Sequence, residues 1–122
     1  MDKPEIDFPD FAPPTDLQVT EITEGEGDEA AAGSTVSVHY VGVAHSTGEE
    51  FDASYNRGAP LQFRLGVGQV IAGWDQGVQG MKVGGRRQLV IPPHLGYGDR
   101  GAGAVIKPGE TLIFVVDLIA VS

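Results

Sequence analysis

The stretch Leu112-Ile113-Phe114-Val115-Val116-Asp117-Leu118-Ile119-Ala120-Val121 decides the fold. Apart from Asp117 it is apolar throughout and rich in β-branched residues, with no glycine or proline to break it. Such a run reads as a central strand covered on both faces. Upstream, Arg86 to Ile91 reads as a second strand, opened by the turn Gly84-Gly85 and stopped by Pro92-Pro93. Thr35 to Ala44 is a third, with Val36, Val38 and Tyr40 sharing one face. Thr47-Gly48 signals a turn into a return strand over Glu49 to Ala53, and Leu61, Phe63 and Leu65 alternate again. Leu17, Val19 and then Ile22 predict a first strand with a bulge, followed by an acidic, small-residue loop from Gly25 to Gly33.

Gly68 to Gly80 is the one good helix candidate, since Val70, Ile71, Trp74 and Val78 fall at helical spacing. Gly73 and Gly77 share a face of it, and each costs about 1 kcal/mol relative to alanine in a helix interior. Close approach of the helix to a sheet would offset that cost. Residues 94–110 are glycine-rich and read as a long loop, of a length that usually serves a function. Strands outnumber helices and do not alternate with them regularly. The expected class is α+β, an antiparallel sheet packed on one short helix.

The chain has 122 residues, 41% of them hydrophobic, which fits one domain with a real core. No apolar run approaches the ~20 residues of a membrane helix. The acidic, proline-broken amino terminus does not read as a secretory signal. Cysteine is absent, which excludes disulfides, thiolate zinc sites and a cysteine nucleophile. It fits a reducing compartment, and the expectation is a cytoplasmic monomer. Residues 1–29 carry ten acids and one base, Lys3, and so hold the whole net charge of −9; residues 30–122 balance seven acids with seven bases. Without a cationic face, nucleic acid is not an expected partner. Pro4, Pro9, Pro13 and Pro14 forbid regular structure at the start. Residues 1–15 therefore read as an acidic proline-rich tail, with Phe8 and Phe11 as candidate anchors, and residues 16–122 as the domain. The tail is expected to solubilise the protein or drape over the sheet; Phe8-Pro9, an apolar residue before proline, is also a candidate visitor to a proline-binding groove.

The common catalytic signatures are missing. His39, His45 and His94 form no pair at metal-ligand spacing, and no metal or cofactor is expected. His39 falls out of phase with Tyr40 and is expected at a solvated or edge position. No serine lies in a G-x-S-x-G elbow. Gly66-Val67-Gly68 lacks the third glycine and the context of a dinucleotide-binding turn. A set of aromatics with one acid remains: Tyr40, Phe51, Asp52, Phe63, Trp74, Tyr97 and Phe114. Spacing alone leaves open whether these line a pocket or simply fill the core.

Six pieces in order are more specific. They are Val38-His39-Tyr40-Val41-Gly42; Gly48 to Phe51-Asp52-Ala53-Ser54; Val70-Ile71-Ala72-Gly73-Trp74; Gly80-Met81-Lys82-Val83-Gly84; Gly96-Tyr97-Gly98; and Leu112-Ile113-Phe114. Over about residues 16–121 the chain resembles the FKBP family of peptidyl-prolyl cis-trans isomerases, the macrolide-binding immunophilins, and most of all their short single-domain bacterial members. The resemblance implies a sheet curled around the helix, with the binding pocket between them. Trp74 then resembles the indole floor, and Tyr40, Phe51, Phe63 and Phe114 the walls. Val70 and Ile71 resemble the rim, with the Ile71 N–H as the donor to the substrate main chain. Asp52 resembles the buried acid, Arg57 its partner, Tyr97 the hydroxyl of the overhanging loop, and Ile106 that loop's apolar tip. Four places depart from the pattern. Leu61 stands where many members carry phenylalanine, Gln69 where some carry glutamate, and Ala102 where some carry histidine; Lys107-Pro108 replaces a common proline pair.

The implied catalytic set is Asp52, Tyr97, Trp74 and Ile71. Tyr40, Phe51, Arg57, Leu61, Phe63, Gln69, Val70, Ile106 and Phe114 are implied substrate contacts. The implied partners are proline-containing peptides, unfolded or nascent proteins, and macrolides of the tacrolimus and rapamycin class. The other reading of the same groove is a non-catalytic module that binds proline motifs.

Overall fold

A computed structural model describes residues 3–7, 9–102 and 106–122. Strands β1 (Gln18–Thr23), β2 (Thr35–Ala44), β3 (Glu50–Ala53), β4 (Leu61–Arg64), β5 (Arg86–Ile91) and β6 (Leu112–Val121) form one antiparallel sheet, with helix α1 (Ala72–Gly77) against it. The spatial order is β1-β5-β6-β2-β3, with β4 also paired to β2. The apolar stretch at 112–121 is indeed the middle strand. Its residues from Leu112 to Leu118 are all buried, alternate side chains facing α1 and the back of the sheet. The expected bulge in β1 lies between Glu21 and Thr23, and all six β1 residues are exposed.

One edge of the sheet is interrupted, and the interruption places the site. β4 pairs with Thr35–Val38 of β2, and β3 pairs with Val41–Val43 of the same strand. Between β3 and β4 the chain swings out through a 3-10 turn, Ser54–Arg57. At Tyr40 no strand among the described residues lies on that side. The Tyr40 N–H donates instead to the fully buried Ser54 Oγ at 2.7 Å, so the exposed rung of the ladder is satisfied by a side chain.

Helix α1 is shorter than the pattern over Gly68–Gly80 predicts. Gly66 and Gly68 take positive φ, and their N–H groups donate to the Asp75 carboxylate at 2.8 and 3.0 Å, which holds residues 66–68 in a turn. Val70 and Ile71 precede the helix. Its close approach to the sheet is as expected: a Cβ on Gly73 would lie 2.6 Å from Ile91 Cγ2, and one on Gly77 2.7 Å from Leu89 Cδ2. Trp74, Val78 and Met81 then pack with Val36, Val38, Leu65, Leu89, Leu112, Val116 and Leu118 in the main core. The long loop after β5 opens with a 3-10 turn, Pro93–Leu95, and folds back on itself where Ala102 pairs with Ile106.

The back of the sheet is covered too. His39 faces this side, as its phase predicts; it is half-buried and lies in the interrupted stretch of the edge, between the β4 and β3 pairings. Its ring stacks on Tyr55 at 4.5 Å, and Nδ1 lies 2.8 Å from Ser54 Oγ, because the turn Ser54–Arg57 folds over it. Beside it in the ladder, Asp117 is completely buried. It accepts from Arg86 at 2.6 and 3.1 Å and from the Tyr55 hydroxyl at 2.6 Å, the partners a buried carboxylate requires. Burial, and then the hydrogen bond to Asp117, push the Tyr55 hydroxyl well above its ordinary range. The first residues lie along the same face. Ile6 packs on Val43, Val90 and Ile113, and Pro9 is buried beside Gln88 and Ile113. The Phe11 carbonyl is 2.7 Å from His45 Nε2 and the Phe11 ring meets the His45 ring edge-on. Phe8 lies outside the described residues. Pro9 thus sits on the side of the sheet away from α1, not in a groove beside it.

Gly73→Ala tests the helix contact. Helix propensity alone would favour alanine by about 1 kcal/mol. The collision with Ile91, itself fully buried, should outweigh this as overpacking of about 1–3 kcal/mol. Urea unfolding is expected to show net destabilisation of Gly73→Ala, while Gln76→Ala, on the exposed face, stays near wild type.

Candidate active site

A cleft of about 410 Å³ opens between α1 and the interrupted edge of the sheet. Trp74, only 4% exposed, forms its floor. Around the indole stand Tyr40 at 4.9 Å and 79°, Phe114 at 5.1 Å and 87°, and Phe63 at 5.8 Å and 51° between ring planes. Phe51 meets Phe114 edge-on at 5.4 Å. Edge-to-face pairs contribute about 0.5–1.5 kcal/mol each beyond area burial, so the rings fix one another's orientation. The buried Trp74 Nε1 has no hydrogen-bond partner among the described residues.

Two local devices let neighbouring residues reach one cavity. In a regular strand Phe51 and Asp52 would point to opposite faces. Here Gly42 pairs with Asp52 and Val43 with Glu50, so Phe51 is the extra residue of a bulge, and both side chains line the cleft. Opposite them Gly42 leaves room: a Cβ there would stand 2.6 Å from Phe114 Cε1 and 2.7 Å from Phe51 Cζ. The rim is Gln69, Val70 and Ile71, with Leu61 beside them and Tyr97, 41% exposed, on the overhanging loop. Asp75 secures this rim through Gly66 and Gly68, and Gln69 Oε1 accepts the Arg64 N–H at 2.8 Å. The Ile71 carbonyl accepts from Trp74 and Asp75; its own N–H has no partner among the described residues.

The polar corner is a closed triangle. The Tyr40 hydroxyl donates to Asp52 Oδ2 at 2.5 Å, and Arg57 donates to Asp52 Oδ1 and to the Tyr40 oxygen, both at 2.7 Å. Burial works to raise the Asp52 pKa, but the Tyr40 and Arg57 hydrogen bonds overcome it and hold the carboxyl below its ordinary range. Burial, then Asp52, push the Tyr40 hydroxyl up. The hydrogen bond to Tyr40, then that to Asp52, pushes Arg57 up. Because the Asp52 and Arg57 side chains are 42% and 50% exposed, the ion pair adds little to stability. Asp52's small share is present above its unfolded pKa and is lost as pH falls through the lower folded value.

A family model for FKBP-type peptidyl-prolyl cis-trans isomerases matches residues 27–119. The chain belongs to that family. An FK506-binding protein of Streptomyces anulatus is 73% identical over 122 residues, covering 99% of this chain and 98% of the relative. Among solved structures, AtFKBP13 superposes with a TM-score of 0.80 at 44% identity, covering 87% of this chain and 93% of its own. FkpA from Escherichia coli gives 0.79 at 43% identity, covering 87% and 48%.

In this isomerase ten of the thirteen residues singled out from the sequence line the cleft: Tyr40, Phe51, Asp52, Leu61, Gln69, Val70, Ile71, Trp74, Tyr97 and Phe114. Phe63 stands behind Trp74 in the core, and Arg57 reaches the cleft only through Asp52 and Tyr40. Ile106, the implied apolar tip of the loop, does not line the cleft: it pairs with Ala102 and is buried in the main core. Nor is Asp52 a buried acid, since β3 is an edge strand and its carboxylate meets Arg57 in solvent reach. Gly42 and Ser54 stand in the motif pieces, but their structural roles, and Asp75 altogether, escaped sequence reasoning. A glycine inside a strand pattern and an acid in the first helical turn after Gly66-Val67-Gly68 were the available signals.

The triangle can be checked by titration. The Asp52 carboxyl resonance of wild-type enzyme should have its midpoint below the ordinary aspartate value of about 3.9. Arg57→Ala should raise that midpoint. An unchanged titration would mean that Arg57 does not hold Asp52 in solution.

Proposed function

We propose that the aromatic cleft holds the prolyl ring of an X–Pro peptide on Trp74 and lowers the barrier to rotation of the preceding amide, with no covalent intermediate. Tyr40, Phe51, Leu61 and Phe114 grip the ring from the sides. The Ile71 N–H takes the substrate main chain, and Tyr97 closes from the loop. Asp52 orients Tyr40 and Arg57 and shapes the local field. The single observation that carries this reading is the cage of near-perpendicular rings around a buried indole, with one polar triangle at its edge.

Magnitudes favour desolvation and shape over proton chemistry. Rotation must break amide resonance, with a barrier of about 18–20 kcal/mol. At the twisted geometry conjugation and charge separation are reduced, so a dry apolar site destabilises the planar form relative to the twisted one. A millionfold acceleration corresponds to about 8 kcal/mol. One neutral hydrogen bond supplies about 0.5–1.5 kcal/mol net. The remainder must come from the walls and from complementarity to the twisted state.

The isomerase domain runs from 16 to 122, with residues 1–15 appended. Its substrates are proline-containing peptides and unfolded or nascent chains, and it acts as a monomer in the cytoplasm, a compartment that suits a chain without cysteine. Macrolides of the tacrolimus and rapamycin class compete for the same cleft; the Streptomyces relative bears the name FK506-binding protein.

Isomerisation of a short Leu-Pro peptide tests the reading. Wild-type protein should accelerate it, FK506 should inhibit, and Trp74→Ala should lower kcat/KM by about tenfold or more, the loss expected from about 1.4 kcal/mol of transition-state stabilisation. Retained acceleration in Trp74→Ala would place the chemistry elsewhere. Because Asp52 is held below and Tyr40 above their ordinary ranges, the rate should stay flat from about pH 6 to 8. A steep loss on titrating one group in that window would count against a mechanism without proton transfer.

A further inference from the structure

The cleft is also held from behind. Lys3 Nζ lies 2.9 Å from Glu50 Oε1 and donates to Asn56 Oδ1 at 3.0 Å. Asn56 Nδ2 in turn donates to Glu50 Oε2 at 3.0 Å. Glu50 opens β3, and Asn56 lies in the turn Ser54–Arg57. These three side chains therefore clasp the two ends of the segment that carries Phe51 and Asp52, and that continues directly into Arg57. The segment needs holding. β3 is four residues long, lies at the sheet edge, and loses regular pairing at the Phe51 bulge. Lys3 is brought there by a docked chain, since Ile6 is seated on Val43, Val90 and Ile113, and the Phe11 carbonyl is bound by His45. Part of the entropy of fixing Lys3 is thus already spent by neighbouring contacts. The charges agree. Glu50 and Asp52 repel each other along one short strand, and the Lys3 hydrogen bond is the largest influence holding the Glu50 carboxyl below its ordinary range.

We propose that Lys3 is a positioning residue for the isomerase cleft: from the opposite face of the sheet it closes the Glu50–Asn56 clasp and thereby fixes the Asp52–Arg57 pair. The proposal rests on the site reading above, in which that pair edges the substrate cleft. Nothing in the family match, which begins at residue 27, includes this contact.

The side chains of Lys3 and Glu50 are 40% and 34% exposed, so the effect is modest and sensitive to salt. At low ionic strength, Lys3→Ala in the full chain is expected to lower kcat/KM for a Leu-Pro peptide about twofold to fivefold. It should also shift and broaden the Arg57 Nε–H resonance of the substrate-free protein. Lys3→Arg should restore both readouts, and about 0.5 M salt should erase the difference between Lys3→Ala and wild type. In a double-mutant cycle, Lys3→Ala and Glu50→Gln should be non-additive. An Arg57 resonance and kcat/KM unchanged by Lys3→Ala overturn the proposal. So does a loss that Lys3→Arg fails to rescue or that high salt leaves intact, which is the mark of general destabilisation. The Arg57 resonance is read without substrate, so it can fail while the site reading, decided by Trp74→Ala, stands.

Discussion

Helix α1 meets β5 through bare backbone. Ile91 and Leu89 occupy the volume where Cβ atoms of Gly73 and Gly77 would be. That contact sets the height of the helix above the sheet, and the height sets where Trp74 sits. Raised by the thickness of a methyl group, the indole would lose its edge contacts with Tyr40 and Phe114, whose attraction falls off within a fraction of an ångström. Two residues that weaken a helix in isolation are therefore what allows so short a helix to be held by tertiary packing.

The two halves of the cleft differ in stiffness. Trp74, Tyr40, Phe63 and Phe114 belong to the main core and share its rigidity. Phe51, Asp52 and Arg57 lie on a bulged edge strand and an exposed turn, where their order comes from hydrogen bonds to Tyr40 and from the clasp at Glu50 and Asn56.

Much of this was legible in the sequence because it follows from patterns that local physics enforces. The run at 112–121, apolar but for Asp117, reads only as a middle strand, and Pro92-Pro93 could only end β5. The glycines four apart required a close partner, and the structure supplies one. The aromatic cage was reached differently, through the resemblance that six ordered pieces bear to a known family, because spacing alone did not separate pocket from core. What escaped depends on pairing across the chain. The bulge at Phe51 arises from register with β2, which no local pattern encodes. The partial cover over His39 comes from a turn fifteen residues later, and Ile106 is paired with Ala102 and buried in the core. Asp75 shortens the helix pattern by taking the N–H groups of Gly66 and Gly68, a competition between side chain and backbone that hydrophobic spacing does not register.

The broken edge along β2 has one more consequence. β3 and β4 offer only four residues each, set apart by the turn at Ser54–Arg57, and at the far side β1 is kinked by its own bulge. Neither margin presents a long flat row of unsatisfied amides to a passing extended chain. A catalyst acting on unfolded polypeptide must avoid templating its polymerisation, and here the same interruption that opens the cleft also spoils the edge for aggregation.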